Sequence, residues 1–131
     1  MDIREISEQV ERRLKNEMIV YRYNAYSTNS VYFNFDYGVA CSLRISDHTG
    51  KRHLAYRYNI GLDVEHPYET RQGNLVRKFW PANMTEDAIE DILDERRQRM
   101  ARYHNYEQLV SRAREKAKVS PGFWRQAREV T

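Results

Sequence analysis

The chain has 131 residues, of which 40% are hydrophobic and 31% are charged, and its formal net charge at pH 7 is +3. This length predicts one domain, residues 1–131, that can bury a core without a disulfide or a structural metal. No apolar run approaches the roughly 20 residues that cross a bilayer, and no apolar signal core is present near the N-terminus, so we expect neither membrane insertion nor export.

The first predicted element is an amphipathic helix over residues 2–17. Ile3, Ile6, Val10 and Leu14 recur at spacings of three and four, with charged residues between them, and this spacing is typical of a helix that buries one face. Asp2 stands near its start, where a negative charge suits the helix dipole.

The middle of the chain changes to short β-rich segments separated by turn residues. In the segment 39–46, Val39, Cys41, Leu43 and Ile45 alternate with other residues, so they should share one face of a strand. The connections are too short for parallel crossovers, which predicts an antiparallel meander. The predicted strands are 18–24, 30–35, 39–46, 53–61 and 74–80.

Residues 63–73 are predicted to form a loop, because they include Pro67 and Gly73. The loop is acidic beside Arg71, and clustered carboxylates could hold Mg²⁺ for phosphodiester cleavage. A solvated loop without a metal is the interpretation that the sequence favours. The carboxylates concerned are Asp63, Glu65 and Glu69.

Two or three helices are predicted to complete the chain. Thr85 is expected to cap a helix that runs to about residue 102, and Asn105 to cap a second one with Gln108 in a capping box. Ser120 and Pro121 indicate a third start, followed by a short helix or turn that should dock through Phe123 and Trp124. The predicted fold class is therefore α+β: an N-terminal helix, an antiparallel meander of four to five strands, and two to three C-terminal helices packed on one face.

The charge is distributed unevenly along the chain. Residues 96–131 contain ten Arg and Lys against three Glu, whereas residues 1–95 contain twelve Arg and Lys against sixteen Asp and Glu. This asymmetry indicates an anionic partner for the basic end. The alternative is that these cations only solvate the helices and complement their dipoles.

Tyrosines alternate with arginines in the predicted strands, as at Tyr21, Tyr23, Tyr56 and Tyr58. An aromatic sheet face with interleaved arginine can stack the bases of single-stranded nucleic acid. The alternative is an amphipathic sheet whose rings pack on the core and whose hydroxyls reach water.

Histidines and cysteine offer few catalytic or metal-binding patterns. The four histidines (48, 53, 66 and 104) lack the close spacing of a metal site, so we expect no metal and no cofactor. His48 and His53 flank a hairpin turn and could cleave RNA without a metal. The sequence favours the alternative, that Asp47 and His48 are turn residues that bond local backbone. Cys41 is expected to be a buried small hydrophobe in a reducing compartment.

One stretch of the chain resembles a known family. The run Leu43–His48 follows Ser30-Val31-Tyr32 and precedes Tyr56–Ile60. It is similar to the Arg-(aliphatic)-Ser-(Asn/Asp)-His segment of small phage and mobile-element proteins, including a type II anti-CRISPR family that inhibits Cas9. The resemblance covers about residues 30–62 and implies family features at Ser42, Arg44, Asp47 and His48.

The resemblance implies a non-enzymatic protein of a phage or mobile element that acts in the bacterial cytoplasm. Such a protein would block a host defence nuclease complex by covering a protein or nucleic-acid surface, and the sequence leaves a homodimer open. A small ribonuclease and a single-strand-binding module are the alternatives. The predicted partner contacts are Arg44, Arg96, Arg97, Arg99, Arg102, Arg112, Arg114, Lys116 and Lys118.

Overall fold

The structure is a computed structural model of the chain and describes residues 2–25, 29–49, 58–66 and 76–131. Within strands, the side chains of residues 48, 49, 58–60 and 63 are also outside this description. The elements in these ranges are α1 (Ile3–Leu14), β1 (Val20–Ala25), β2 (Ser30–Phe35), β3 (Cys41–Thr49), β4 (Tyr58–His66), β5 (Val76–Pro81), α2 (Thr85–Arg102), α3 (Tyr106–Val119), α4 (Phe123–Gln126) and β6 (Arg128–Glu129).

The strands form one antiparallel sheet in the order β5-β4-β3-β2-β1-β6. The predicted α+β architecture is therefore confirmed, with β1 to β5 following one another as a meander. The short β6 was not predicted, because two residues carry no readable alternation. It returns from the end of the chain to pair Glu129 with Tyr21 on the outer edge of β1.

One face of the sheet carries the core, because alternate strand residues point to the same side. The predicted face of β3 is confirmed for Cys41, Leu43 and Ile45, which are all buried. Val39 is also buried, but it lies in the turn before the strand with a helical backbone, so the predicted start at residue 39 is wrong. Helices α1 and α2 cover this face. The other core residues that they share with the sheet include Ile6, Val10, Leu14, Val31, Phe33, Phe35, Leu62, Val64, Ala88, Ile89 and Ile92.

The C-terminal helices do not all lie on the core face. Helix α4 docks through Phe123 and Trp124, as predicted, but Phe123 contacts Tyr23, whose side chain points away from the core. The alternation of β1 explains this placement, since Val20 is buried in the core and Tyr21 and Tyr23 form the odd-numbered, opposite set. We call this second side of the sheet the open face.

The predicted loop 63–73 is wrong at its start, because β4 continues to His66. Leu62, Val64 and His66 are buried, and Glu65 between them lines a cleft on the open face, so the alternation of a half-buried strand outweighs the local acidity. Glu65 is not a free metal ligand, since its Oε1 lies 2.6 Å from Arg77 Nη2 on β5. Glu69 and Arg71 lie outside the described residues.

Three predicted helix starts need correction. Thr85 is the first residue of α2 and not its cap, and its Oγ1 donates a hydrogen bond to the carbonyl of Ala82 at 2.6 Å. Asn105 occupies the cap position of α3, but its side chain makes no capping hydrogen bond, so the capping box is not formed. Helix α4 begins at Phe123, after Pro121 and not on it.

The predicted turn after β2 has an unusual backbone. Asp36, Tyr37 and Gly38 have φ angles of 52°, 57° and 89°. The left-handed region costs a non-glycine residue roughly 1 kcal/mol or more, so contacts elsewhere must hold this turn in place. Those contacts belong to the candidate site described next.

Candidate nucleic-acid interface

The carboxylate of Asp36 connects three elements beneath the C-terminal helices. One oxygen accepts hydrogen bonds from Arg96 Nε at 2.6 Å and from the Tyr106 hydroxyl, and the other accepts from the Ile19 amide at 3.0 Å. Asp36 is 3% exposed, and hydrogen bonds to a buried carboxylate are among the stronger ones in proteins. The turn after β2 therefore anchors the N-terminal ends of β1 and α3 and the C-terminal half of α2.

The pKa values of the two donors reflect this contact. Burial and the hydrogen bond to Asp36 raise the pKa of the Tyr106 hydroxyl, which keeps it protonated as a donor. Burial lowers the pKa of Arg96, but the hydrogen bond with Asp36 and the charge of that carboxylate together raise it above its usual value. Both groups thus stay in the protonation state that binds Asp36.

Three aromatic rings meet between this turn, β1 and α4. The Tyr21 ring lies 5.2 Å from Tyr37 and 5.3 Å from Trp124, and Tyr37 lies 5.6 Å from Trp124. The hydroxyl oxygens of Tyr21 and Tyr37 are 3.3 Å apart, and this hydrogen bond, with burial, raises the pKa of Tyr21. The left-handed conformation of Tyr37 is what directs its ring toward the other two.

Helix α3 lies beside the aromatic rings and presents cations around them. Arg114 and Lys118 line a cleft of about 200 Å³ with Tyr21, Tyr37 and Trp124. A neighbouring cleft of about 350 Å³ adjoins Tyr37 and Trp124 again. We call the whole the basic–aromatic cleft, and its residues are Tyr21, Tyr37, Trp124, Arg112, Arg114, Lys116 and Lys118.

The cations of the basic–aromatic cleft are exposed and mostly unpaired. Lys118 Nζ lies 2.9 Å from Glu115 Oε1, an exposed pair that water and salt screen strongly. Within the described part of the chain, no ion pair is formed by Arg112, Arg114 or Lys116. Guanidinium and ammonium groups without a carboxylate partner, beside half-buried aromatic rings, suit the phosphates and bases of a nucleic acid.

The structure separates the predicted arginine contacts into surface and interior. The prediction of Arg99 as a partner contact is wrong, because its side chain is 0% exposed. The guanidinium of Arg96 forms an ion pair with Asp36. Arg97 is exposed, 3.9 Å from Asp94, and the Arg102 guanidinium lies over the Tyr103 ring at 5.7 Å. Neither of these two lines the basic–aromatic cleft.

The residues implied by the resemblance lie on β3. Arg44 is on the open face, with its guanidinium 5.6 Å from the centre of the Tyr32 ring. Ser42 also faces that side, and its hydroxyl donates to Glu65 Oε2 at 3.4 Å. The prediction that Asp47 and His48 are turn residues is wrong, because β3 continues to Thr49. The Asp47 amide donates to the Asn29 carbonyl at 2.9 Å, and the His48 side chain lies outside the described residues.

The alternative sites of the sequence analysis are only partly described. Tyr21 and Tyr23 lie on the open face, as stacking would require, but Tyr21 is packed against Tyr37 and Trp124. The side chains of Tyr56, Tyr58 and His53 lie outside the described residues. The ribonuclease hypothesis, which rests on His48 and His53, stays a prediction.

A second polar cluster is buried between the sheet and α2. His66 is 0% exposed, with its Nε2 3.7 Å from Asp91 Oδ2, and Lys78 Nζ lies 3.1 Å from the same carboxylate. On the same helix, Glu95 Oε2 lies 3.7 Å from Arg99 Nε. Cys41 and His66 of this face are both 0% exposed, so neither the thiol nor the imidazole reaches the surface.

The pKa shifts of this cluster oppose nucleophilic chemistry. Burial raises the pKa of the Cys41 thiol, which therefore stays protonated, and it lowers the pKa of His66, which stays neutral. A reactive cysteine needs the reverse, a thiolate stabilised by a nearby cation. Cys41 is thus the buried hydrophobe that the sequence predicts.

We expect His66 to make the stability of the protein depend on pH. Its lowered pKa means that the unfolded chain, with a histidine pKa of about 6.5, binds a proton that the folded protein excludes. The free energy of unfolding should hence be highest above this value. As the pH falls below it, stability should drop by up to roughly 1.4 kcal/mol per pH unit. The groups that face His66 are Lys78, Asp91, Glu95 and Arg99.

Urea denaturation between pH 7.5 and pH 5 measures this effect. His66→Gln should flatten the pH dependence, whereas His104→Gln, which alters an exposed histidine before α3, should leave it unchanged. An identical slope in His66→Gln and the unchanged protein would contradict a buried neutral histidine.

Neither a metal cluster nor a membrane-spanning helix is found in the described part of the chain. Within residues 2–25, 29–49, 58–66 and 76–131, no three His, Cys, Asp or Glu side chains are placed to hold a metal ion. The helices in these ranges are not long and apolar enough to cross a bilayer.

Comparison with protein-family models, curated proteins and solved structures finds no significant match to this chain.

Two residues of the basic–aromatic cleft were not identified from the sequence. Tyr37 was predicted only as a turn residue and Trp124 only as a docking residue. The only indication for Trp124 in the sequence is its position between the basic helix and the end of the chain. The contact with Tyr37, 87 positions earlier in the chain, has no sequence signature.

Proposed function

We propose that this protein is a non-enzymatic interaction protein that binds single-stranded nucleic acid through the basic–aromatic cleft. The observation that carries the proposal is the row of cations on α3 beside the half-buried rings of Tyr21, Tyr37 and Trp124. Binding covers a surface of the partner, and no covalent bond forms or breaks.

The rings favour a nucleic acid over an acidic protein. Arginine and lysine attract carboxylates and phosphates alike, so charge alone does not separate the two. A base adds stacking on an aromatic side chain, worth about 1–3 kcal/mol, and Trp124 and Tyr37 border both parts of the cleft. The net positive charge of residues 96–131 adds long-range attraction to the phosphate backbone.

Replacement of two cations of the basic–aromatic cleft is expected to lower the affinity for single-stranded RNA and to make that affinity depend less on salt. Arg114→Gln with Lys118→Gln should lower the affinity for a single-stranded 12-mer RNA roughly tenfold at 50 mM salt. Each lost phosphate contact reduces the slope of log K against log salt by about 0.7 for a single strand. The double variant should therefore lose roughly 1.4 from this slope. Fluorescence anisotropy between 50 and 200 mM salt measures both quantities.

The matched control removes the same charge elsewhere. Arg4→Gln with Arg12→Gln changes two exposed cations on α1, which lies on the core side of the sheet. This variant should bind nearly as well as the unchanged protein. Equal losses in both variants would indicate diffuse attraction without a defined cleft, and absence of binding to RNA and DNA at 50 mM salt would reject the proposal.

The resemblance of residues 30–62 supports a more specific role. The nucleic acid would then be the RNA of a bacterial defence nuclease complex, and binding would inhibit it, as in the anti-CRISPR families. Target cleavage by an RNA-loaded type II effector, with and without the protein, tests this role. Full cleavage activity at saturating protein would reject inhibition of that effector while leaving nucleic-acid binding intact.

A further inference from the structure

Helix α4 lies between two clefts and places one aromatic ring in each. Trp124 borders the basic–aromatic cleft, and Phe123 borders a second cleft of about 340 Å³ on the open face of the sheet. The two rings are 4.9 Å apart and nearly perpendicular. An aromatic surface therefore continues around α4 from one cleft to the other.

The second cleft, which we call the sheet cleft, is lined by residues of four neighbouring strands, β2 to β5, and by Phe123 of α4. Phe123 contacts Tyr23, which stacks on Tyr32 with ring centres 6.2 Å apart and planes 17° from parallel. Tyr32 in turn carries the guanidinium of Arg44 at 5.6 Å. The polar side chains of the lining are Asn34, Ser42, Arg44, Glu65 and Arg77.

The polar groups of the sheet cleft suit a base better than a phosphate. Glu65 places a carboxylate there, which repels phosphate and neutralises Arg77 at 2.6 Å. The lining nevertheless offers both donors and acceptors, as the edge of a base requires. The Arg44 guanidinium lies over the Tyr32 ring at the cleft, and a guanidinium in this position can hydrogen-bond to a base or stack on it.

We propose that the sheet cleft receives an unpaired nucleobase of the strand whose phosphates contact α3. This inference rests on the proposed function and specifies its ligand, a single strand with accessible bases. A duplex keeps its bases stacked and paired, so it cannot deliver one to the sheet. The sheet cleft has a volume of about 340 Å³, which is at the small end of the range for ligand pockets. This volume fits one planar nucleobase.

The test compares strands with and without bases. The unchanged protein should bind a single-stranded 12-mer RNA at least tenfold more tightly than an abasic strand of equal length, and more tightly than the duplex. Tyr32→Leu removes the ring that supports the Arg44 guanidinium, so a base that stacks on this guanidinium loses its platform. The variant should reduce the affinity for the RNA roughly tenfold and leave the abasic strand unaffected. Tyr32→Phe, which keeps the ring, should bind as the unchanged protein does.

The outcomes separate this inference from the proposed function. Equal affinity of the unchanged protein for the RNA and the abasic strand would reject the base site and leave phosphate binding by α3 intact. Equal affinity for the RNA and the duplex would likewise reject the base site and leave phosphate binding by α3 intact. Failure to bind any of the three would reject both proposals. The comparison of strands shows whether a base is bound, and the variants show where, because Trp124 and Tyr37 could also stack a base. Arg44→Gln, a second variant on the open face, should likewise lose roughly tenfold in affinity for the RNA and nothing for the abasic strand. A preference for the RNA that neither variant reduces would reject the base site in the sheet cleft.

Discussion

Replacement of Asp36 by glycine is expected to lower the free energy of unfolding by about 3–5 kcal/mol. The buried carboxylate accepts hydrogen bonds from Arg96, from the Tyr106 hydroxyl and from the Ile19 amide. Its loss leaves a half-buried guanidinium and a buried hydroxyl without their acceptor, and removal of one partner of a buried ion pair costs this much. Glycine is the informative substitution because it accepts the left-handed backbone at this position.

Two companion variants separate the contributions. Asp36→Asn tolerates φ of 52° and keeps one carbonyl oxygen as the acceptor for the Ile19 amide, but its NH2 group replaces the oxygen that accepts from Arg96 and Tyr106. It should therefore cost about 1.5–3 kcal/mol, less than glycine. Asp36→Ala should be less stable than Asp36→Gly by roughly 1 kcal/mol, the cost of the left-handed conformation. Urea denaturation followed by circular dichroism measures all three.

The same variant should weaken binding if the proposed cleft is correct. Asp36 holds Tyr106 at the start of α3, and α3 carries Arg114 and Lys118 at the rim of the basic–aromatic cleft. The affinity of Asp36→Gly for RNA should therefore fall even at temperatures where the protein remains folded. A change in unfolding free energy below about 1 kcal/mol would contradict the role of Asp36 as an anchor.

Replacement of Arg99 by leucine is the second change with a large expected effect, a loss of about 3 kcal/mol. Arg99 is fully buried; its Nη1 donates to the Val39 carbonyl at 3.4 Å and its Nε lies 3.7 Å from Glu95 Oε2. The substitution removes the cation but leaves the Glu95 carboxylate buried at 6% exposure. An uncompensated buried charge costs several kcal/mol, and Lys78, 3.5 Å away, offsets part of it.

A double variant tests this explanation. Arg99→Leu with Glu95→Leu removes both charges, and replacement of a buried ion pair by apolar residues is often neutral or stabilising. It should recover most of the stability that the single variant loses. Arg97→Leu, two positions earlier and exposed, should change stability by less than about 0.5 kcal/mol. Equal losses in the single and double variants would show that side-chain packing, and not charge, decides the cost.

Much of the fold was predictable because the pattern of apolar residues is local. The spacing of Ile6, Val10 and Leu14 specifies α1, and all three are buried. The alternation in β3 likewise specifies its buried face. The prediction failed in β4, where the local sequence and the tertiary contacts indicate different structures. Its acidic residues are typical of a loop, whereas Leu62 and Val64 belong to the core.

The candidate site was predictable in composition and not in geometry. The cations Arg112, Arg114, Lys116 and Lys118 were expected as partner contacts on a basic helix, and they are exposed on α3. Their aromatic neighbours come from β1, from the turn after β2 and from α4, which are far apart in the chain. No local pattern links such segments.

By itself, the sequence determined that a helix, an antiparallel meander and basic C-terminal helices follow one another, because periodicity and charge are read within a few neighbouring residues. Only the tertiary structure decided which arginines are available for a partner. Arg96 and Asp36 are 60 positions apart, and the burial of Arg99 depends on strands that precede it. At the same helical position, a long cationic side chain can lie in the interior or at the surface. Which of the two occurs depends on the residues that distant elements place beside it.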